Sequence, residues 1–165
     1  MWHDAVAKRC QIGSSRARGI MFVATTARLT HAGARQMMAT ALAEAERIGV
    51  AVTVAICDAG GHLILLERMD GGRFHTVHSA IAKAVCAASS RRPTGPSGAQ
   101  GQALDVTHAI GLALAAGPER WTAMEGGYPV VVDRECVGGI GIAGGDWQTD
   151  ARIAAAAVAS IGGAT

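Results

Sequence analysis

The chain has 165 residues, half of them apolar, and a formal net charge of +2 at pH 7. This length can bury one sizeable core but is short for two ordinary domains, and the residues after the basic N-terminal stretch are nearly neutral. The lack of a basic face argues against a nucleic-acid partner, and the lack of a long apolar run or secretory signal argues against a membrane and predicts a cytoplasmic protein.

The N-terminal part divides into a tail and the first helix of a domain. Residues 1–26 lack helical or strand periodicity, so we expect a disordered or extended tail, followed by a single domain over residues 27–165. Thr30 can cap a helix whose apolar residues recur at helical spacing as far as Ile48, and Gly49 can end it. The domain is therefore expected to begin with a helix.

A hairpin and a second helix are predicted next. The β-branched run over residues 50–57 and the aliphatic run that follows it are separated by Asp-Ala-Gly-Gly, which favours a tight turn. Residues 74–88 place an apolar stripe along one side of a helix. His75 and Lys83 point away from this stripe, and His78 lies at its border.

The second half begins with a long loop and then returns to strands and helices. The loop, residues 89–102, is rich in proline, glycine and serine, and Asp105 can cap a short helix after it. Strand-like runs occupy residues 128–132 and 136–143, and an alanine-rich helical pattern covers residues 147–161. The order α-β-β-α-α-β-β-α, with hairpins rather than crossovers, predicts an α/β (α+β) fold: an antiparallel sheet with helices packed on it.

Two patterns that often indicate cofactor sites are assigned structural roles here. Gly139, Gly141 and Gly144 satisfy G-x-G-x-x-G, but no β-α-β unit surrounds them, so they are expected to allow close sheet packing or a bulge. The cysteines form no C-x-x-C pair, which predicts reduced and mostly buried thiols.

Several motifs follow one another along the domain. The first half contains Ala-Ile-Cys-Asp-Ala-Gly-Gly-His-Leu at residues 55–63, Arg-Met-Asp-Gly-Gly at 68–72 and Ala-Lys-Ala at 82–84. The second half contains Gly-Gly-Tyr-Pro-Val at 126–130 and Val-Gly-Gly-Ile-Gly-Ile-Ala-Gly at 137–144. Together these motifs resemble the GlcG/HbpS family, which is related to the C-terminal domain of PduO-type proteins.

The resemblance implies a profilin-like fold that assembles into homodimers or larger oligomers, often octamers. It also implies a small-molecule ligand, because some relatives bind haem and others are associated with glycolate or aromatic catabolism. We therefore expect a small-molecule-binding homo-oligomer of the GlcG/HbpS type, with haem as the implied cofactor. The alternative is a catabolic enzyme of the lyase, isomerase or hydrolase type that applies acid–base chemistry to a small carboxylated or hydroxylated compound.

His75 and His78 depart from the family pattern, in which apolar, serine or acidic residues are expected. Their helix face can be solvated, can meet another subunit, or can line a pocket between subunits. At positions i and i+3, two imidazoles can reach one metal ion or haem edge, with a third ligand from His62, His108, Asp70 or another subunit. In the enzyme alternative, one of the two histidines is the acid or base.

The Arg-Met-Asp motif and Lys83 supply further candidates. Arg68 can clamp a ligand carboxylate or form an internal salt bridge, and Asp70 can act as a base or serve as a turn or cap residue. Met69 can wall a porphyrin, and Lys83 can stabilise developing negative charge in the enzyme alternative.

The turn before the third strand completes the predicted ligand-binding site. Gly126 and Gly127 can bring backbone N–H groups close to an anion, or can simply satisfy a turn. Glu125 can act as an acid or base, Tyr128 belongs to the same turn, and Thr94 in the long loop can cover the site.

Overall fold

The computed structural model describes Phe22 and residues 24–162. Its elements, in chain order, are α1 (His31–Ile48), β1 (Thr53–Asp58), β2 (Leu63–Arg68), α2 (Thr76–Ser90), α3 (Val106–Ala116), β3 (Gly127–Val132), β4 (Glu135–Ala143) and α4 (Trp147–Ala159). The predicted α-β-β-α-α-β-β-α order is confirmed. Most of the predicted tail, residues 1–26, lies outside the described residues, as does Cys10.

The four strands form one antiparallel sheet in the order β2-β1-β4-β3. β1 pairs with both β2 and β4, and β3 pairs with β4 through a hairpin that turns at Asp133 and Arg134. Both turn residues have positive φ, 50° and 67°, as a tight two-residue hairpin turn requires. The antiparallel sheet predicted from the hairpins is confirmed, with β2 and β3 at its edges.

α1 and α4 pack together on one face of the sheet and enclose the larger part of the core. Met37 of α1, Ile153 of α4, and Ile56, Ile140 and Ile142 of the central strands are fully buried there. Removal of these aliphatic side chains from water is the main favourable contribution that holds the two helices on the sheet.

The ends of α1 follow from its sequence. The Thr30 hydroxyl accepts a hydrogen bond from the backbone N–H of Gly33 at 3.1 Å, which satisfies one of the unpaired donors at the start of the helix. Gly49 ends the helix in the left-handed conformation, with φ 80°. Both predicted helix ends are confirmed.

α2 covers the opposite face of the sheet through small side chains. The α2 backbone at Ala80 and Ala84 lies so close to Gly141 and Gly139 of β4 that a Cβ atom on either glycine would overlap it. Close helix–sheet packing, one of the two roles predicted for these glycines, is thereby confirmed. The apolar stripe predicted for this helix comprises Val77, Ile81, Ala84, Val85 and Ala88. Its alanines are buried as predicted, whereas the three branched residues are only half-buried, because the tight contact with β4 accepts alanine and leaves no space for branched side chains.

Gly141→Ala is expected to destabilise the protein by about 1–3 kcal/mol, because the added methyl group would overlap the Ala80 carbonyl and push α2 from the sheet. Gly111→Ala is the matched control, since a Cβ there meets nothing within 4 Å and alanine favours the interior of α3. Urea denaturation at one protein concentration should give a lower midpoint for the first variant and an equal or higher midpoint for the second. Equal midpoints for Gly141→Ala and the unmodified protein would contradict the close packing.

α3 differs from the other helices because it makes no packing contact with another helix or strand of the described part. None of its residues is buried, and its apolar side chains Val106, Ile110 and Leu114 are more than half exposed. Asp105 caps the helix, as predicted, by accepting a hydrogen bond from the His108 N–H at 2.9 Å. None of the helices within residues 24–162 is long and apolar enough to cross a membrane.

The three cysteines of the described part are free thiols. Cys57 and Cys86 are buried and Cys136 is half-buried, which confirms the prediction of reduced and mostly buried thiols for these three residues. Burial raises the pKa of Cys57 to about 12, so this thiol remains protonated and unreactive at neutral pH.

Candidate ligand-binding site

The two histidines predicted as site residues, His75 and His78, lie at the start of α2. The helix begins at Thr76 rather than at residue 74, so His75 occupies the cap position and His78 lies in the first turn. Both side chains are exposed. The His75 ring stands edge-on to Phe74, with ring centroids 5.8 Å apart, whereas His78 lines a cavity that His75 does not reach.

That cavity, called the apolar cavity below, has a volume of about 430 Å³ and lies between α2 and α3. Most of its walls are apolar. They are supplied by α2 (His78, Ser79, Ala82), by α3 (Val106, Ala109, Ile110, Ala113) and by the segment after α3 (Pro118, Trp121, Thr122, Ala123, Met124). Such a space suits an apolar ligand held by a few polar or metal-coordinating contacts.

The apolar cavity contains two side chains that can coordinate a metal. The His78 imidazole is one, and the thioether of Met124, which is half-exposed, is the other. Among the described residues, no three histidine, cysteine, aspartate or glutamate side chains converge on one point. Within this part of the chain, His75 and His78 therefore do not belong to a three-ligand metal site.

The Arg-Met-Asp motif forms the connection from β2 to α2. The Arg68 guanidinium donates to the carbonyl oxygen of Gly72, so Arg68 helps to fix this turn. Met69 packs against the core on the α1/α4 side, and its sulfur accepts from the Val52 N–H at 3.5 Å. Asp70 is exposed in the turn itself. None of the three predicted motif residues lines the apolar cavity.

Lys83 is placed differently from its predicted position. The expectation that it points away from the packed face is wrong, because its side chain is only 6% exposed and lies in an ion pair. Its ammonium group donates to Asp150 Oδ2 at 2.8 Å and to the Ile142 carbonyl at 2.7 Å. The Asp150 carboxylate also accepts from the Gly145 N–H at 2.9 Å. Lys83 therefore links α2 to β4 and α4, and it does not line the apolar cavity.

The glycine pair before β3 and Thr94 form a tightly packed junction. The Gly127 N–H donates to the Thr94 hydroxyl at 2.8 Å, and the Thr94 N–H donates to the Gly127 carbonyl at 2.9 Å. Gly126 has φ 102°, and a Cβ atom there would lie 2.7 Å from that of Asp150. These contacts favour the turn interpretation of the glycine pair, because the Gly127 N–H already has a buried partner.

The remaining predicted site residues lie apart from His78. Glu125 is half-buried beside Gly95 in the long loop, and Tyr128 is half-buried against the core on the α1/α4 side. The fold thus separates the predicted residues into an exposed group at the start of α2 and a packed group around Lys83 and Gly127. Only His78 among them lines the apolar cavity.

Sequence reasoning missed Trp121, Met124 and the apolar face of α3. A signal existed for α3, because residues 106–116 form a helical segment without Asp, Glu, Lys or Arg, which is unusual for a solvated helix. Trp121 and Met124 had no such local signal, since their positions depend on how the segment after α3 folds back toward α2.

A protein-family model spans most of the domain. The family described as "Haem degrading protein HbpS-like" matches residues 29–159, which include all eight elements of the fold. Among curated proteins, Protein GlcG of Escherichia coli (strain K12) is 35% identical over 112 residues, which cover 65% of this chain and 78% of GlcG.

Two solved structures share the fold over nearly their full length. Klebsiella pneumoniae protein ORFY matches with a TM-score of 0.75 and 28% sequence identity, covering 89% of this chain and 100% of ORFY. The PduOC:heme complex matches with a TM-score of 0.72 and 25% identity, covering 84% of this chain and 99% of PduOC. Together with the family match, these similarities confirm the predicted resemblance and its fold.

Proposed function

Because this chain belongs to the HbpS-like family, we propose that it is a small-molecule-binding homo-oligomer whose ligand is haem, held in the apolar cavity. The observation that carries the proposal is the position of His78, which is the only histidine among the described residues that lines this cavity. The solved PduOC relative is a complex with heme, which supports the same ligand class.

The residues around the apolar cavity fit a haem in their chemistry. A porphyrin needs apolar walls and one or two axial ligands, and imidazole and thioether groups are both common ligands of haem iron. His78 and Met124 would hold the iron, and Val106, Ile110 and Trp121 would contact the porphyrin. When bound, haem would supply redox chemistry at its iron, tuned by the identity of the axial ligands.

The acid–base enzyme has weaker support than the haem-binding function. Its proposed anchoring residue, Arg68, donates to Gly72, and its proposed electrostatic residue, Lys83, is paired with Asp150. Neither side chain lines the apolar cavity.

Titration of the purified protein with haemin, followed by visible absorption, tests the haem proposal. We expect a saturable shift of the Soret band at a fixed ratio of haem to subunits. Weak binding that does not saturate would contradict the proposal.

The exposed apolar face of α3 supports the homo-oligomer. Leu114, which does not line the apolar cavity, is 77% exposed, and α3 packs against no helix or strand in the described part of the chain. A second copy of α3 is the occupant that we propose for this face, because the face is uncharged and self-association covers such a surface on both subunits at once. The resemblance favours an octamer as the complete assembly.

Leu114→Glu is expected to reduce the assembly to a smaller species, because it would place a charge within the α3 contact. Light scattering coupled to size exclusion gives the mass of each species. Gln36→Glu, at an exposed position on α1, is the matched control and should retain the original mass. A monomeric parent protein, or an unchanged mass for Leu114→Glu, would exclude α3 as the interface.

A further inference from the structure

A second and larger cavity lies beside the apolar cavity and shares Trp121 with it. Its volume is about 780 Å³, and it is called the polar cavity here. Ile81 and Val85 of α2 form an apolar wall, while His62, Glu119 and Arg120 add polar groups. The space therefore suits a ligand with an apolar body and polar ends.

The imidazole of His62 is oriented by its neighbour in the turn after β1. Its Nδ1 lies 3.2 Å from each carboxylate oxygen of Asp58, and the same carboxylate accepts from the His62 and Gly60 backbone N–H groups at 2.9 and 2.8 Å. Because an ionised carboxylate can only accept, Nδ1 carries the hydrogen. In the neutral ring, Nε2 is then an acceptor for a donor group on a ligand.

Two glycines give the turn this geometry. A Cβ atom on Gly60 would lie 2.9 Å from the His62 ring, and a Cβ on Gly61 would lie 3.3 Å from Val85. Gly61 also has φ 82°, which favours glycine. The Gly61 backbone thus lies against α2, and the His62 side chain, which is 83% exposed, stands at the open edge of the polar cavity.

Arg120 gives the polar cavity an exposed positive group that forms no ion pair with any described residue. Guanidinium groups bind carboxylates through paired, charge-assisted hydrogen bonds. Glu119, also on the cavity wall, would repel a second negative group and so favours a monocarboxylate.

We propose that the polar cavity binds an apolar monocarboxylate that carries a hydrogen-bond donor, with Arg120 binding the carboxylate and His62 Nε2 accepting from the donor. Ile81, Val85 and Trp121 contact its apolar body. This site is separate from the proposed haem site, because none of its polar side chains lines the apolar cavity.

Calorimetric titration with three matched probes tests the assignment: 6-hydroxy-2-naphthoate, 2-naphthoate and 2-naphthamide. Arg120→Gln should weaken binding of both acids by about tenfold or more and leave binding of the amide unchanged. His62→Phe should weaken the hydroxy acid alone. Arg35→Gln is the control for Arg120→Gln, since Arg35 lies on α1 and does not line this cavity. His108→Phe is the control for His62→Phe, since His108 forms a similar pair with Asp105, at 2.8 Å, outside this cavity.

The proposal is overturned if neither acid binds, if the amide binds as tightly as the acids, or if the controls weaken binding as much as the cavity variants. A haemin titration of Arg120→Gln separates this proposal from the haem proposal. Haem binding should persist in that variant, so loss of naphthoate binding with intact haem binding supports two sites. Parallel loss of both ligands would mean one shared site and would contradict the assignment.

Discussion

Lys83→Met is expected to destabilise the folded protein by about 3–5 kcal/mol, the largest effect that we expect from any single substitution in this chain. The Lys83 and Asp150 side chains are only 6% and 4% exposed, and their charged atoms are 2.8 Å apart. Loss of the ammonium group leaves the Asp150 carboxylate buried with the Gly145 N–H as its remaining partner. Burial of an uncompensated charge in this way is costly.

The midpoint of urea denaturation, measured at one protein concentration, reports this effect. Lys83→Met with Asp150→Leu should recover part of the loss, because the pair is then replaced by apolar groups. Arg47→Gln is the control: its pair with Glu44 at 2.7 Å is on the surface, so the midpoint should hardly change. If Lys83→Met unfolds at the same midpoint as the parent protein, the ion pair contributes little to stability.

The fold could be predicted because each element has a local signal. Thr30 and Gly49 define the ends of α1, Asp105 caps α3, and the Asp-Ala-Gly-Gly turn specifies the first hairpin. Hydrophobic periodicity and turn residues act within a few positions along the chain, so they can be read without knowledge of the tertiary structure. The order of the elements then restricts the topology.

The rotation of α2 could not be predicted in the same way. Periodicity places the larger apolar residues, such as Ile81, toward the core, but the glycines of β4 reverse this preference by admitting the α2 backbone at Ala80 and Ala84. As a result, Lys83 faces inward and meets Asp150, which lies 67 positions further along the chain. A contact between such distant residues leaves no local trace in the sequence.

The candidate site shows the same division between local and tertiary signals. His78 is a candidate from sequence alone, as one of two histidines three positions apart in a predicted helix, whereas its partners in the apolar cavity come from α3 and from the segment that contains Trp121 and Met124. His75 carries the same sequence signal as His78 but occupies the N-cap position of α2, where its side chain makes no capping hydrogen bond, and lies outside the cavity. Two histidines only three positions apart therefore have different surroundings: His78 lines the apolar cavity, whereas His75 is exposed outside it.

His78→Ala is expected to weaken haemin binding by about 30-fold or more, equivalent to roughly 2 kcal/mol, if His78 is the axial ligand. The Soret band of any remaining complex should shift, because the position of that band depends on the axial ligands. Absorption titration of the variant and the parent protein measures both effects. His75→Ala is the matched control, since this exposed histidine lies outside the apolar cavity and its removal should leave affinity and spectrum unchanged.

Met124→Leu separates coordination from packing in the same cavity. Leucine retains most of the apolar volume but lacks the sulfur, so a Soret shift with little loss of affinity would identify Met124 as the second axial ligand. An unchanged spectrum would leave Met124 as a wall residue and His78 as the single protein ligand. If His75→Ala abolishes binding and His78→Ala does not, the haem lies outside the apolar cavity, because only His78 of the two contacts it.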